Sequence, residues 1–265
     1  MEISDLTFKR FKDLIYQEAG IHLADTKKQM VSARLMKRLR VLQLNGFEEY
    51  YKLASQQPSE LQTMIDLLTT NETSFFREPA HFDFLQNEIL QKFNGTQFRA
   101  WSAAASIGAE AYTLAMVLDD NLSKRHIKFD IIGTDINVDV INRAKNGIYP
   151  INFASKIDIK FLKKYCLEGH NTQNGFFMID DYLRHKCSFL NANLMKPLPS
   201  NLGQFDVIFL RNMLIYFDIA NKKIIVENII KLLKSGGYLF IGHSETLTNV
   251  TTQVRQVKPT IYIKD

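Results

Sequence analysis

Cysteine is scarce in this chain. Its 265 residues hold two, Cys166 and Cys187, too far apart for a CxxC pair or a metal-ligand spacing. That points to reduced thiols in a cytoplasmic protein, and no metal ligands are expected. No apolar run approaches the roughly 18 residues of a membrane-spanning helix. The first residues, MEISDLTFKRFKDLIYQEAG, mix acids with bases and lack the apolar stretch of a signal peptide. A P-loop lysine motif, GxSxG and HExxH are all missing, which argues against a nucleotide triphosphatase, an elbow-type serine hydrolase and a zincin protease. There are no internal repeats and no low-complexity segments.

What is present is an ordinary hydrophobic content of 46% and a net charge of +5 with a pI near 9.0. The length suggests one or two domains. The charge suits either nucleic acid or the acidic surface of another protein. The first ~90 residues show no period of two. Phe8, Phe11, Leu14 and Ile15 recur at helical spacing and Gly20 is a stop signal. KKQMVSARLMKRLRVLQL places Met30, Leu35, Leu39 and Leu42 on one side and Lys27, Lys28, Arg34, Lys37, Arg38 and Arg40 elsewhere, a basic amphipathic helix. FEEYYKLASQ and ELQTMIDLLTT predict two more helices. From about residue 97, short apolar runs alternate with helical segments, the signature of βαβ units and a parallel sheet. The rhythm breaks between ~150 and 190, where short strands with turn signals predict a small antiparallel insertion.

Between the two halves lies TTNETSFFRE, residues 69–78, too polar for a core helix and too aromatic for a plain linker. In a doubly wound sheet the ligand sits beyond the carboxyl ends of the strands, and three strand ends here carry suggestive residues. After the first, Ala103 to Glu110 are mostly small and let backbone approach a ligand, or they only pack a tight turn. After the second, Asp135 can accept both hydroxyls of a ribose, or cap the next helix, a role open equally to Asn137. The third, FDVIFLRNMLIYFD, ends a buried run in Arg211 and Asn212, followed by Tyr216 and Asp218. It faces the crevice, or it is a surface turn capped by Asp218. His243 in GHSE lies near a strand end without a recognisable partner and is expected to be structural.

In order along the chain, TTNETSFFRE, WSAAASIGAEAYTLAM, IIGTDIN with VINRAKNGIY, FDVIFLRNMLIYFD and LKSGGYLFIGHSE resemble the blocks of the CheR family of chemotaxis receptor methyltransferases. The resemblance covers nearly the whole chain. It implies an α/β, Rossmann-like S-adenosylmethionine-dependent methyltransferase domain with a small antiparallel β-subdomain, preceded by an all-helical domain. The corresponding division is 1–70 helical, 71–95 linker, 96–265 catalytic, with the insertion at about 152–190. The implied activity is O-methylation of receptor glutamates, leaving S-adenosylhomocysteine. Carried over by motif, Asn71, Thr73 and Arg77 would touch the cofactor or line the site. Glu110 would bind the methionine end near the backbone of Ala104, and Asp135 the ribose. Asn193 and Leu194 would sit by the adenine, while Leu210, Arg211 and Asn212 would close the pocket. Tyr216 would lie beside the transferred methyl, with Arg77 as its catalytic partner. The basic helix 27–40 would steer onto the acidic methylation bundle of a receptor. The β-subdomain would take a receptor C-terminal peptide where its loop, Gly169-His170-Asn171, keeps the family's Gly-x-Gly shape. Nucleic acid and membrane insertion are not expected, and the location is cytoplasmic, with recruitment to receptor arrays. The chain departs from the family at Ala109, where an acid is usual, and at Ile107, where a hydroxyl residue is usual. Those departures motivate an alternative, a catalytically weak cofactor-binding sensor. A nucleic-acid methyltransferase is a third reading, resting only on pI and fold and opposed by the lack of an NPPY-like or catalytic Cys motif.

Overall fold

The computed structural model describes residues 2–265. Its first part is a four-helix unit: α1 Asp5–Ala19, α2 Lys28–Leu42, α3 Phe47–Gln56 and α4 Pro58–Leu68. Ser4 caps α1 by accepting from the Thr7 N–H at 3.1 Å. Gly20 ends it in the left-handed region at φ 73°, with its N–H on the Tyr16 carbonyl. Any side chain there would also collide with Met195, because the helix end is pressed against the second domain. Phe11, Ile15, Val31, Leu35 and Tyr50 pack the interior and are fully buried.

The bases of α2 do not all face outward. Arg38 makes a forked pair with Glu60, at 2.8 and 2.6 Å. Arg34 donates to the carbonyls of Leu67, Leu68 and Thr69, satisfying the otherwise orphaned end of α4. Lys28 pairs with Asp5. Lys27, Lys37 and Arg40 remain exposed.

Residues 69–79 then lead through α5 (Ala80–Phe84) and a run of helical turns to a seven-stranded sheet. Its strands, in chain order, are β1 Gln97–Ala103, β2 Lys128–Asp135, β6 Cys187–Asn191, β7 Phe205–Leu210, β8 Leu233–Ile241, β9 Arg255–Lys258 and β10 Ile261–Ile263. The spatial order is β6-β2-β1-β7-β8-β10-β9, with β10 alone reversed, antiparallel to both β8 and β9. The chain reverses direction of winding between β1 and β7, so the crevice opens beyond their carboxyl ends. Side chains alternate across the strands. Ala100, Val207 and Phe209 face helix α6 (Ala109–Leu122), whereas Trp101, Ile208 and Leu210 face helix α10 (Ile219–Lys231). Helix α7 (Val138–Asn146) follows β2, and no helix among the described residues is long and apolar enough to cross a membrane.

A second sheet of three antiparallel strands combines β3 Ile148–Pro150, β5 Phe176–Ile179 and β4 Cys166–Glu168, with short helices α8 (Ile159–Tyr165) and α9 (Asp181–Arg184). It begins before residue 152, and Cys187–Asn191 belongs instead to the main sheet, parallel to β2. As the sheet's edge strand, β6 buries Cys187 and Phe189 while Ser188 and Leu190 stay exposed. That alternation mimics an antiparallel strand in sequence. The terminal pair β9–β10 carries no expectation from the sequence, being short and largely polar in β9.

Candidate active site

The turn after β1 is held open by unusual backbone. Ala104 and Ser106 sit at φ 74° and 51°, and the N–H groups of Ala104 and Ala105 both donate to the Thr134 carbonyl at 2.8 Å. Phe76 (49°), Glu78 (56°) and Asn212 (55°) add three more non-glycine residues in the left-handed region. Such conformations are uncommon and gather where surrounding structure over-determines the chain. Here they gather where the linker, β1 and β7 converge.

Asp135 ends β2. One oxygen accepts from the Ser106 N–H at 2.8 Å and the other from the Asn137 N–H at 3.0 Å. Burial pushes its carboxyl up, and the N–H groups of Asn137, Ser106 and Ile136 oppose that. Asn137 itself caps α7 by accepting from Val140 N–H. The capping role therefore falls to Asn137, and Asp135 keeps lone pairs for a ligand.

Glu110, in the first turn of α6, accepts from Ser102 Oγ at 2.7 Å and pairs with Arg211 at 2.9 Å. Burial pushes its carboxyl up, opposed by Arg211 and Ser102. The Arg211 side chain is only 1% exposed, and it also pairs with Glu78 at 3.1 Å and donates to the Arg77 carbonyl. Burial works against ionisation of Glu78, but the Asn212 amide and the Arg211 guanidinium hold its carboxyl below the usual range. Arg211 thus ties the linker to the strand ends. The buried Glu245 carboxylate accepts from the N–H groups of Asn212 (2.9 Å) and Gly242 (2.6 Å), fixing the turn after β7.

The linker folds into the crevice. Phe75 is fully buried, with its ring edge-on to Tyr149 at 4.9 Å and near Phe177 at 5.9 Å, so the small sheet clamps it. The Phe76 N–H donates to Thr113, and the Asn71 carbonyl accepts from Ser106 Oγ at 2.9 Å. Arg77 donates one N–H to the Glu72 carbonyl at 2.9 Å.

These elements enclose a cavity of about 440 Å³, within the range of about 300–1,000 Å³ common for small-molecule sites. Asn71, Thr73 and Arg77 line it from the linker; Ala104, Glu110 and Asp135 from the first two strand ends; Asn193 and Leu194 from the segment after β6; and Arg211, Asn212 and Tyr216 from the turn after β7. Leu210 is the exception. Its side chain points to the Trp101 face of the sheet and is fully buried there, outside the cavity wall. Period-two alternation puts the last strand residue in the core, and the cavity begins one residue later.

Sequence patterns gave no sign of the cavity's other wall. Ile21, His22, Leu23, Lys27 and Met30 of the helical unit line it. The His22 N–H donates to the Tyr216 carbonyl at 2.8 Å, and Asn193 donates to the Glu18 carbonyl at 2.8 Å. Ser102, Ser106, Glu78 and Glu245 also had no distinguishing signal, since each acts through tertiary partners. Ala109 and Ile107 are buried in the core and do not line the cavity. The two departures that motivate a non-catalytic reading thus lie away from the ligand space, whereas Glu110 faces it.

Chemically the cavity offers carboxylates at two strand ends, guanidinium groups from the linker (Arg77) and from the turn after β7 (Arg211), the Tyr216 phenol of that same turn, and an apolar wall from Ile136, Leu194, Met195 and Met213. That donor set suits a planar base, vicinal hydroxyls and an amino-acid end on one molecule.

Comparison with known proteins agrees. The family model of the CheR methyltransferase all-alpha domain matches residues 6–69, and that of the CheR methyltransferase SAM binding domain matches residues 71–263. The chemotaxis protein methyltransferase of Salmonella typhimurium is 37% identical over 264 residues, covering 99% of this chain and 91% of its own. That of Escherichia coli K12 is 37% identical over 264 residues, with 99% and 92% covered. That of Borreliella burgdorferi is 34% identical over 271 residues, with 97% and 93% covered. S-adenosylmethionine is the cofactor, and the residues around the cavity fit its ribose, base and methionine end. With both family models matched in order and relatives similar from end to end, the chain belongs to the CheR methyltransferase family.

Proposed function

We propose that the protein methylates glutamate side chains of chemotaxis receptors, forming methyl esters. The observation that carries this reading is the convergence of Arg77 and Tyr216 on one cavity with Glu110 and Asp135. Bound there, S-adenosylmethionine supplies an electrophilic methyl group on a sulfonium. A glutamate is already ionised near pH 7, so it needs no general base. The protein's task is alignment and exclusion of water. In this reading Asp135 holds the ribose hydroxyls and Glu110 the amino group. Arg77 offers a fork to a carboxylate and the Tyr216 hydroxyl a further bond. Neither shuttles a proton. The helical unit, residues 1–70, docks the receptor, and the linker, 71–95, completes the site.

Lys37 and Arg40 supply the outward charge that would meet an acidic receptor bundle, since Arg34 and Arg38 are engaged internally. A receptor-tail peptide at the small sheet is supported by its loop. Asn171 adopts φ 55°, as a glycine would, and a side chain at Gly169 would strike the Gln173 carbonyl. Incubation with labelled cofactor and receptor should give base-labile methyl esters on glutamate. Cofactor binding without transfer, or an alkali-stable product, would overturn the reading.

A further inference from the structure

We propose that Glu78, His81 and His243 form a binding site for a divalent transition-metal ion, with zinc as the best fit. Glu78 Oε2 lies 3.5 Å from His81 Nδ1 and 3.7 Å from His243 Nε2. All three atoms fall within 4.8 Å of one another. A tetrahedral zinc ion about 2.0–2.1 Å from each ligand would space them about 3.4 Å apart. The two Glu78 edges are already near that. His243 is 57% exposed and can turn to close the third. The exposed imidazole also leaves a path for the ion and a fourth position for water.

The neighbouring groups orient the ligands. His81 Nε2 is 2.8 Å from Thr260 Oγ1, and that hydroxyl donates its proton to the Pro259 carbonyl. The hydroxyl must then accept from Nε2–H, which assigns the tautomer and leaves a bare lone pair at Nδ1. Glu78 Oε1 accepts from the Asn212 amide at 3.1 Å and the His243 N–H at 3.3 Å. His81 and Glu78 thus have their other polar atoms anchored, the arrangement that fixes histidine and carboxylate ligands in metal sites, while the His243 ring stays free to turn. His81 Nδ1 is buried with no hydrogen-bond partner among the described residues, and Glu78 Oε2 has only its ion pair with Arg211. The His81 side chain is 2% exposed and aims this nitrogen at Glu78. The bare nitrogen and the carboxylate oxygen face each other at 3.5 Å, and a cation bound between them would offset a repulsion that Arg211, on one side of the oxygen, does not remove at Nδ1.

Arg211 reaches the same Glu78 oxygen at 3.1 Å, but it also serves Glu110. Glu78 and Glu110 share this one guanidinium, which leaves the pair short of positive charge. Two imidazoles and one carboxylate suit zinc above magnesium or calcium. Because the ligands are separated along the chain, no sequence spacing shows them. The ion would staple the segment after Arg77 to the end of β8.

The test uses the full-length protein after dialysis against a chelator. Titration with zinc chloride should show saturable binding of one ion and raise the thermal midpoint by several degrees at saturation. Cobalt(II) should give the visible absorption of a tetrahedral site. His243→Ala, at an exposed position, should weaken zinc binding roughly tenfold or more and remove the thermal shift. His170→Ala is the control and should change neither. Absence of saturable zinc binding, or equal affinity in His243→Ala, would overturn the site. Neither readout depends on methyl transfer.

Discussion

Two arginines border the cavity, and their surroundings predict opposite behaviour on substitution. Arg211 is buried between Glu78 and Glu110, with its guanidinium over the rings of Phe82 and Phe209 at 5.6 and 5.8 Å. Removing one partner from such a buried cluster strands the others. Arg211→Met should therefore cost about 3–5 kcal/mol of stability, read from urea unfolding. Arg77 is only partly buried, and one hydrogen bond to the Glu72 carbonyl holds it. Arg77→Ala should leave the urea midpoint nearly unchanged yet lower kcat by roughly 100-fold or more, the scale seen when a positioned charge-stabilising donor is lost. Arg77→Lys should keep part of the rate, because charge remains while the fork does not. Full activity in Arg77→Lys would rule out bidentate positioning. A large loss of stability in Arg77→Ala would move this residue into the structural role given to Arg211.

At the scale of elements, helix α4 meets helix α7 through Asp66. Its Oδ1 accepts from the Gln62 amide at 2.7 Å and from the Val138 N–H at 3.2 Å. Burial pushes the Asp66 carboxyl up to about 6, the two hydrogen bonds oppose this, and the charges of Asp139 and Asp135 reinforce it. The folded chain then keeps this proton to about pH 6, whereas the unfolded chain releases it near 3.8. Folding is unpenalised below that window and loses stability as pH rises through it. Asp66→Asn retains both accepted bonds and removes the penalty. Its thermal midpoint should match wild type near pH 4, exceed it by pH 6, and hold that lead above. A gap that does not change with pH would exclude Asp66 as the cause. This junction also marks how far the sequence could be read. Gly20 showed the end of α1, and the buried runs of β1, β2 and β7 showed a parallel sheet, because periodicity and caps are local. Asp135 and Asn137 stood close enough to leave one residue for the cap and one for the ligand. The motif points Leu210 at the pocket, but a strand's last side chain follows the pleat, and this one enters the core. Edge strand β6 reads in sequence as part of the insertion because its half-buried alternation resembles an antiparallel strand. His22 and Met30 left no trace, since only tertiary folding brings the helical unit over the cavity.

At the scale of the whole molecule, the helical unit is part of the site and not a loosely tethered adaptor. The Asn221 amide donates to the Gly20 carbonyl at 2.9 Å, Tyr16 donates to Asp218 at 2.7 Å, and the Gln62 amide donates to the Ile136 carbonyl at 2.8 Å. With His22 and Asn193, these bonds fasten the unit on both sides of the cavity, so its position relative to the sheet is fixed by polar pairing. Whatever binds the exposed face of α2 is thereby held at a set distance from Arg77 and Tyr216. In the proposed receptor reading, capture of an acidic partner at that face would rest on its outward bases. Lys37 and Arg40 are exposed and lie outside the cavity wall, whereas Arg38 is committed to Glu60. Reversing both exposed charges, Lys37→Glu with Arg40→Glu, should lower kcat/KM for receptor by roughly tenfold at low salt, through slower association. The difference from wild type should shrink as ionic strength rises and the screening length falls below about 8 Å. Cofactor affinity should not change, because neither residue lines the cavity. Arg38→Glu should behave differently, placing a second carboxylate against buried Glu60 and unfolding the helical unit at any salt concentration. Receptor turnover in the double reversal that is unchanged at low salt would show that the partner is recognised on another face.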